Sequence, residues 1–165
     1  MPAVAESASR ALSMRELTTL NATRKAKAVA QLHADKVVLG ADTIVALDGE
    51  AIGKPRDMED AMRILRRLSG REHQVCTAVA LCHNGGDLTI SFCVVSSVRF
   101  HSLGEEQIRV YLAKINPLDK AGAYAVQGHG SEIIADIKGS YTNVVGLPMD
   151  ETIRALARFR VRPNA

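Results

Sequence analysis

The first candidate for chemistry is Asp42, an acidic residue inside an otherwise apolar stretch that predicts a strand over residues 37–47. An uncompensated carboxylate in such a place is costly, so it needs a cation, a hydrogen-bond donor or a metal ion. Ionisable groups in unusual surroundings collect at functional sites, and the pattern fits a metal ligand or a general base acting on water. The alternative is an aspartate that only forms a turn or caps an element.

Two lysines are candidate phosphate contacts. Lys54 lies between Gly53, which lets a ligand approach the backbone, and Pro55, which restricts the chain. An ammonium group held in such a corner can bind phosphate as a fixed charge. A surface lysine that only contacts water is the simpler alternative for Lys54, and still more so for Lys25 in the predicted first helix.

The segment 119–128 combines a charged pair with small residues and two glycines, which let a loop approach a ligand closely. Gln127 offers both a hydrogen-bond donor and an acceptor, as reading the edge of a base requires. Because loops carry function more often than core elements do, we interpret the segment as a binding loop. The alternative is an ordinary tight connection in which Asp119 and Lys120 form a structural ion pair.

Other patterns argue against common enzyme classes. No serine has a G-x-S-x-G context, and neither a GxxxxGK[ST] loop nor a G-x-G-x-x-G motif occurs. His73, His101 and His129 are dispersed and lack the spacing of a zinc site. Cys76, Cys82 and Cys93 are odd in number and without a C-x-x-C pair, so we predict reduced core residues.

Composition predicts one soluble domain. The 165 residues are 47% hydrophobic and 24% charged, with a net charge of +3. That mild charge, with 4% aromatic residues and no Trp, disfavours a nucleic-acid surface but suits a small anionic ligand. The apolar runs are too short for a membrane span, and the first 15 residues lack the apolar region of a signal peptide. We therefore expect a cytoplasmic protein with neither a nucleic-acid nor a membrane partner.

Capping residues and periodicity locate the elements that must position these side chains. Ser13 and Glu16 form an S-x-x-E capping box before a helix predicted over residues 14–34. Asp57 is a predicted N-cap, and Ser102 with Glu105 forms a second predicted capping box. Further strands are predicted over residues 75–82, 88–100 and 132–137, with a hairpin turn at residues 84–86 and a last helix after Pro148.

The predicted element order is α-β-α-β-β-α-β-α. It indicates an α/β fold: a single domain over residues 13–165 with a mixed central sheet flanked by helices. Residues 1–12 are predicted to form a loose N-terminal segment.

Five blocks in this order, within residues 15–160, resemble the Maf family of nucleoside triphosphate pyrophosphatases. They are LGADTIV (39–45), GKP (53–55), LSGREHQV (68–75), PLDKAGAY with QG (117–124 and 127–128) and NVVGLP (143–148). The resemblance implies an elongated α/β fold, related to that of inosine triphosphate pyrophosphatases. It implies hydrolysis of a nucleoside triphosphate to the monophosphate and pyrophosphate with a divalent cation, Mg²⁺ or Mn²⁺. A homodimer is a further expectation.

The same resemblance assigns roles at the reacting end of the nucleotide. Asp42 matches the family's general base and metal contact, and Lys25 and Lys54 match phosphate contacts. A looser alignment places Glu6 at a further family acid and makes it a second expected metal ligand.

For substrate choice, Thr43 and Gln127 match positions that the family ties to specificity, with Asp119 and Lys120 as support within the loop. The loop is more similar to the dTTP/UTP branch than to the 7-methyl-GTP branch. We therefore expect the carboxylate of Asp42, the ammonium of Lys54 and the amide of Gln127 to converge around one triphosphate.

The resemblance does not extend to the family's opening strand and its S-x-S-P-R-R phosphate loop, for which Ser9-Arg10 is no substitute. Two arginine-type phosphate contacts are therefore expected to be missing. This leaves an alternative: a catalytically impaired nucleotide-binding module linked to cell-division arrest. A purine triphosphatase acting on ITP is a third hypothesis, which the pyrimidine-type loop disfavours.

Overall fold

The computed structural model describes residues 12–162. Within them the elements are α1 (Met14–Ala30), β1 (Val38–Leu47), β2 (Glu50–Ile52), α2 (Met58–Leu68), β3 (Glu72–His83), β4 (Leu88–Phe100), α3 (Glu105–Leu112), β5 (Ile134–Lys138), α4 (Tyr141–Val145) and α5 (Met149–Ala157). Glu6 and residues 1–11 of the predicted loose segment lie outside the described residues. None of the described helices has the length and apolar character that crossing a bilayer requires.

The central sheet has the strand order β2-β1-β3-β4-β5. The predicted α/β fold, a single domain with helices beside a central sheet, is confirmed. The sheet differs from the predicted mixed one, because all four described pairings are antiparallel. The strands β2 and β3 do run in the same direction, but the crossover through α2 passes over β1, which lies between them.

Helix α1 begins where its capping box predicts. The Ser13 amide donates to Glu16 Oε2 at 2.8 Å, and the Glu16 amide donates to Ser13 Oγ at 3.3 Å. The helix ends at Ala30 rather than at the predicted residue 34. Ala30 is the last of its buried residues, and Leu32 beyond it is 78% exposed. Burial on the sheet therefore stops where the helix stops.

One face of the sheet packs against α1 through small side chains. Ala22, Ala26 and Ala30 are fully buried against the strands, where Ala78 and Ala80 face them. Gly40 on β1 completes this contact, since a Cβ there would lie 2.5 Å from the Ala22 carbonyl oxygen. The missing side chains let the helix backbone lie directly on the sheet.

The other face carries the larger apolar core, formed with α2 and α3. The predicted N-cap of α2 is confirmed: the Asp60 amide donates to Asp57 Oδ1 at 2.7 Å. The predicted capping box at Ser102 is wrong. Helix α3 begins at Glu105, so the residue three positions beyond its N-cap is Gln107, and the Gly104 amide donates to Gln107 Oε1 at 2.8 Å.

Strand β1 is paired unequally along its two edges. Toward β3 it pairs over residues 38–46, but toward β2 only Val45–Leu47 pair. Among the described strands, residues 38–44 therefore have no partner on the β2 side. This edge includes the GADT segment, so within the described residues no strand covers the segment's backbone on that side.

Candidate active site

A cleft of about 410 Å³ lies at the unpaired edge of β1. Its volume falls within the ordinary range for a small-molecule site. The walls come from α1, β1, the corner at Lys54, the loop 119–127 and the end of α4. Every predicted site residue within the described part of the chain lines it: Lys25, Asp42, Thr43, Lys54, Asp119, Lys120 and Gln127. The expected convergence of Asp42, Lys54 and Gln127 on one cleft is thus observed.

The Asp42 carboxylate is held by two side chains of α1. Lys25 Nζ lies 2.5 Å from Oδ1, and Asn21 Nδ2 donates to Oδ2 at 3.1 Å. Asn21 and Lys25 are four residues apart and so share one face of the helix, which Gly40 seats against β1. These contacts offset the cost of placing a carboxylate that is only 15% exposed. Asn21 was not predicted, although its spacing from Lys25 could have indicated it.

The Lys25–Asp42 ion pair is easily exchanged. The Lys25 side chain is 58% exposed, and it also donates to the Ala41 carbonyl at 3.2 Å. Ion pairs with such access to water contribute only about 0–1 kcal/mol. An anionic group entering the cleft can therefore compete with Asp42 for the ammonium group at little cost.

The loop 119–127 and the Lys54 corner carry the remaining charges of the cleft. Asp119 accepts a hydrogen bond from Lys120 Nζ at 2.7 Å, so the structural ion pair considered from the sequence is present and borders the cleft. The hydrogen bond from Lys120, with the positive charges of Lys120 and Lys54, lowers the pKa of Asp119. In all, three lysines and two aspartates line the cleft, leaving one net positive charge for an anionic ligand.

The loop 119–127 is fixed to the Lys54 corner by its backbone. The Gly122 amide donates to the Gly53 carbonyl at 3.1 Å. Gly122 has φ of +74°, and a Cβ there would lie 2.9 Å from Val45 Cγ2. Both observations require glycine, the first for the left-handed conformation and the second for the close contact with β1. The spacing between Lys54 and the loop is thereby set by the fold.

Tyr124 fixes the loop to the apolar core. Its hydroxyl lies 2.9 Å from His73 Nε2, and both rings pack edge-to-face against Phe100. His73 is 2% exposed, and this burial lowers its pKa to about 4. Burial likewise raises the pKa of the Tyr124 hydroxyl. His73 therefore supports the wall of the cleft as a neutral group, the structural role that its isolated position in the sequence favoured.

Thr43 is part of a directed chain of hydrogen bonds. Thr77 Oγ1 donates its only hydrogen to the Asn143 carbonyl at 2.9 Å. Thr43 Oγ1 lies 2.9 Å from Thr77 Oγ1, so Thr43 must be the donor in that contact. Its own hydrogen is then used, and the Thr43 oxygen presents only lone pairs to the cleft.

Asn143 holds this chain in place from α4. It is fully buried, its Oδ1 accepts from the Thr77 amide at 3.2 Å, and its Nδ2 donates to the Val75 carbonyl and to Ser96 Oγ. These bonds fix the wall at residues 144–146 against β3 and β4. Thr77 and Asn143 were not predicted as site residues, although Asn143 opens the NVVGLP block.

The cleft offers oxygen ligands that suit a hard divalent cation. Asp42 and Asp119 supply carboxylates, and the Ala41 carbonyl is adjacent. Within residues 12–162, no three His, Cys, Asp or Glu side chains converge. One or two carboxylates completed by phosphate oxygens is the manner in which Mg²⁺ usually binds, so these residues fit such an ion together with a nucleotide rather than alone.

Comparison with known proteins agrees with this arrangement. Residues 1–159 match the family model described as Maf-like protein. The dTTP/UTP pyrophosphatase of Bacillus velezensis is 45% identical over 95% of this chain and 82% of its own length. The proteins of the same name from Symbiobacterium thermophilum (48% identity; 96% of this chain, 81% of the relative) and Escherichia coli (51%; 84% and 70%) are also similar. A family match over nearly the whole chain, together with these identities, establishes that the chain belongs to the Maf family.

Proposed function

We propose that this chain hydrolyses dTTP and UTP to the nucleoside monophosphate and pyrophosphate. One observation carries the proposal: the acid, cations and amide picked out by the sequence blocks line a single cleft of nucleotide size. The relatives named dTTP/UTP pyrophosphatase support the same substrate class.

In this mechanism Asp42 is the general base. It orients a water molecule and takes its proton while the water oxygen forms a bond to the α-phosphorus. The bond between that phosphorus and the oxygen leading to the β-phosphate breaks, and pyrophosphate leaves with the electron pair. Lys25 and Lys54 line the cleft from different elements, α1 and the corner at residues 53–55, where their charges can stabilise the negative charge that develops on the leaving group.

Lys25 has a double task in this proposal. Before the nucleotide enters, its ammonium group neutralises Asp42. Phosphate oxygens then draw Lys25 away and leave the carboxylate free to act on water. Because Lys25 is open to water and Asp42 keeps the hydrogen bond from Asn21, this exchange takes little binding energy from the substrate.

A divalent cation would be held by Asp42 together with the phosphate oxygens, with Asp119 within the same cleft. When bound, such an ion supplies positive charge to the phosphates and lowers the pKa of coordinated water.

Selectivity for uracil and thymine is supported by the acceptor-only oxygen of Thr43. Both bases carry a hydrogen on N3, whereas N3 of cytosine is itself an acceptor and would meet lone pairs. A site built around one hydrogen bond rejects a base that cannot form it, because the polar group is left unpaired. Gln127, with its donor and acceptor, can bind the neighbouring base atoms.

The test is pyrophosphate release from dTTP and UTP with Mg²⁺ or Mn²⁺, with dCTP, CTP and ITP as competitors. Asp42→Asn should lower kcat by at least about 100-fold, in line with removal of a general base. Asp48→Asn is the matched control, because Asp48 is exposed and pairs with Arg71 away from the cleft. A folded wild-type chain that binds nucleotide without releasing pyrophosphate would overturn the proposal.

Selectivity is tested separately with Thr43→Val, which keeps the shape and removes the oxygen. The preference for dTTP over dCTP should fall by about tenfold or more. Thr43→Ser keeps the acceptor and should retain the preference. An unchanged dTTP/dCTP ratio in the valine variant would refute the role of Thr43 while leaving hydrolysis itself intact.

A further inference from the structure

Two cysteines on the α1 side of the sheet form a pair that nucleotide hydrolysis does not use. Cys76 on β3 lies opposite Val95, and Cys93 on β4 lies opposite Ala78. The two cysteines are therefore diagonal neighbours on one face of adjacent strands. Their sulfur atoms are 2.6 Å apart, not far above the roughly 2.0 Å of a covalent S–S bond.

We propose that Cys76 and Cys93 are a redox modification site, which a low-molecular-weight disulfide converts reversibly into an intramolecular disulfide. The strands already hold the two sulfur atoms close to bonding distance. The third cysteine, Cys82, lies apart from the pair: it is buried further along β3, and its sulfur contacts Thr89 Oγ1 at 3.5 Å.

Exposure determines which thiol reacts first. Cys93 is partly exposed, whereas Cys76 is fully buried. Burial and the contact with Cys93 raise the pKa of the Cys76 thiol to about 12, although Thr18 and the charge of Arg15 oppose that change. Thiolates rather than thiols attack disulfides, so the exchange begins at Cys93.

The reaction balances as two exchanges. The Cys93 thiolate attacks the reagent disulfide, forms a mixed disulfide and releases one reagent thiolate. The Cys76 sulfur attacks the Cys93 sulfur and displaces the second reagent thiolate, which takes up the Cys76 proton as it leaves. The protein loses two protons and two electrons, which together are two hydrogen atoms, and the reagent is reduced to two thiols.

The bond would join β3 to β4 beneath α1. Cys76 is also directly opposite Ile44 on β1, two residues from Asp42. The disulfide would close a chain loop that contains the hairpin turn at residues 84–86. It would therefore restrict the conformations of the unfolded chain more than those of the folded one. The oxidised protein should therefore melt at a higher temperature than the reduced protein, and a dithiol reductant should reverse the change.

Glutathione disulfide is the test reagent, with intact mass and counting of accessible thiols after denaturation as readouts. The wild type should lose two hydrogen atoms and go from three free thiols to one. Cys82→Ala is the matched control and should still form the bond. Cys76→Ala should stop at a stable glutathione adduct on Cys93, whereas Cys93→Ala should acquire neither the adduct nor the bond.

Three outcomes would overturn the proposal. The wild type could keep all three thiols under conditions that oxidise an exposed thiol peptide. Peptide mapping could place the bond at Cys82 or between two chains. The adduct could form on Cys93→Ala as readily as on Cys76→Ala. Circular dichroism of each variant before treatment separates these outcomes from a failure to fold.

Discussion

Gly40→Ala is expected to damage both stability and activity, because Gly40 sets the distance between α1 and β1. The added Cβ would lie 2.5 Å from the Ala22 carbonyl oxygen and 2.7 Å from the Ala26 amide nitrogen. Ordinary contact begins near 3.4 Å, so the helix must retreat by about 0.9 Å. Both contacts are with backbone atoms, which cannot rotate aside.

The size of the effect follows from that displacement. Overpacking of this kind costs about 1–3 kcal/mol, and a clash with backbone belongs at the upper end. At about 2–4 °C per kcal/mol for a chain of this size, the melting temperature should fall by about 6–12 °C. The retreat also carries Asn21 and Lys25 away from Asp42. A displacement approaching 1 Å can reduce catalysis by up to about 100-fold, so kcat/KM for dTTP should fall by about 10–100-fold.

Thermal melts and steady-state pyrophosphate release measure the two effects. Gly53→Ala is the control for stability, since a Cβ there has nothing within 4 Å and its φ is not positive. It should melt at the wild-type temperature or slightly above. If Gly40→Ala has the same melting temperature as Gly53→Ala, the close contact of α1 with β1 is refuted. If it melts low but keeps full activity at room temperature, the link from Gly40 to the Asp42 site is refuted.

Three further predictions concern other parts of the site. Asn143→Ala leaves the Thr77 amide and the Val75 carbonyl without their buried partner, so the free energy of unfolding measured in urea should fall by about 2–4 kcal/mol. The control Asn116→Ala, at an exposed position, should lower it by less than about 1 kcal/mol. Burial lowers the His73 pKa from 6.5 to about 4, so between these pH values the unfolded state binds more protons than the folded state. The His73 contribution to the free energy of unfolding is therefore full above pH 6.5 and declines by roughly 3 kcal/mol as the pH falls toward 4. Urea unfolding curves of His73→Phe should lack this pH dependence. Lys54→Met should raise KM for dTTP about tenfold while exposed Lys36→Met does not, and equal KM values for the two would exclude the phosphate contact.

The sequence predicted those parts of the fold that depend on local chemistry. The capping box at Ser13 and the N-cap at Asp57 lie where expected, because such residues satisfy free amides at a helix start in any tertiary context. The prediction of a second capping box failed because Ser102 and Gly104 are both possible helix starts, and the chain uses Gly104 as the N-cap. Helix α4 was missed because its five residues are too few for a periodic pattern.

The candidate site was predicted residue by residue, but its connections were not. Motif positions identified Asp42, Lys54 and Gln127, and the fold brings them to one cleft. The contacts that hold the site in place depend on pairings between distant segments, such as that of Thr77, the partner of Thr43, with Asn143, which is 66 residues away. Nothing in the spacing of a single sequence indicates such a contact. Strand neighbours were uncertain for the same reason, since element order alone did not show that β1 separates β2 from β3.

The contact of α1 with the sheet is made largely by methyl groups, and this has a mechanical consequence. Rows of alanines on both surfaces give a smooth interface, without large side chains that interlock to oppose sliding of the helix along its axis. The bonds from Asn21 and Lys25 to Asp42 are then among the directed contacts that restrain the helix lengthwise. A ligand that withdraws Lys25 from Asp42 removes one of those two restraints. Ligand binding in the cleft should therefore change how fast the amides of α1 exchange with solvent deuterium, because the two equilibria are thermodynamically linked.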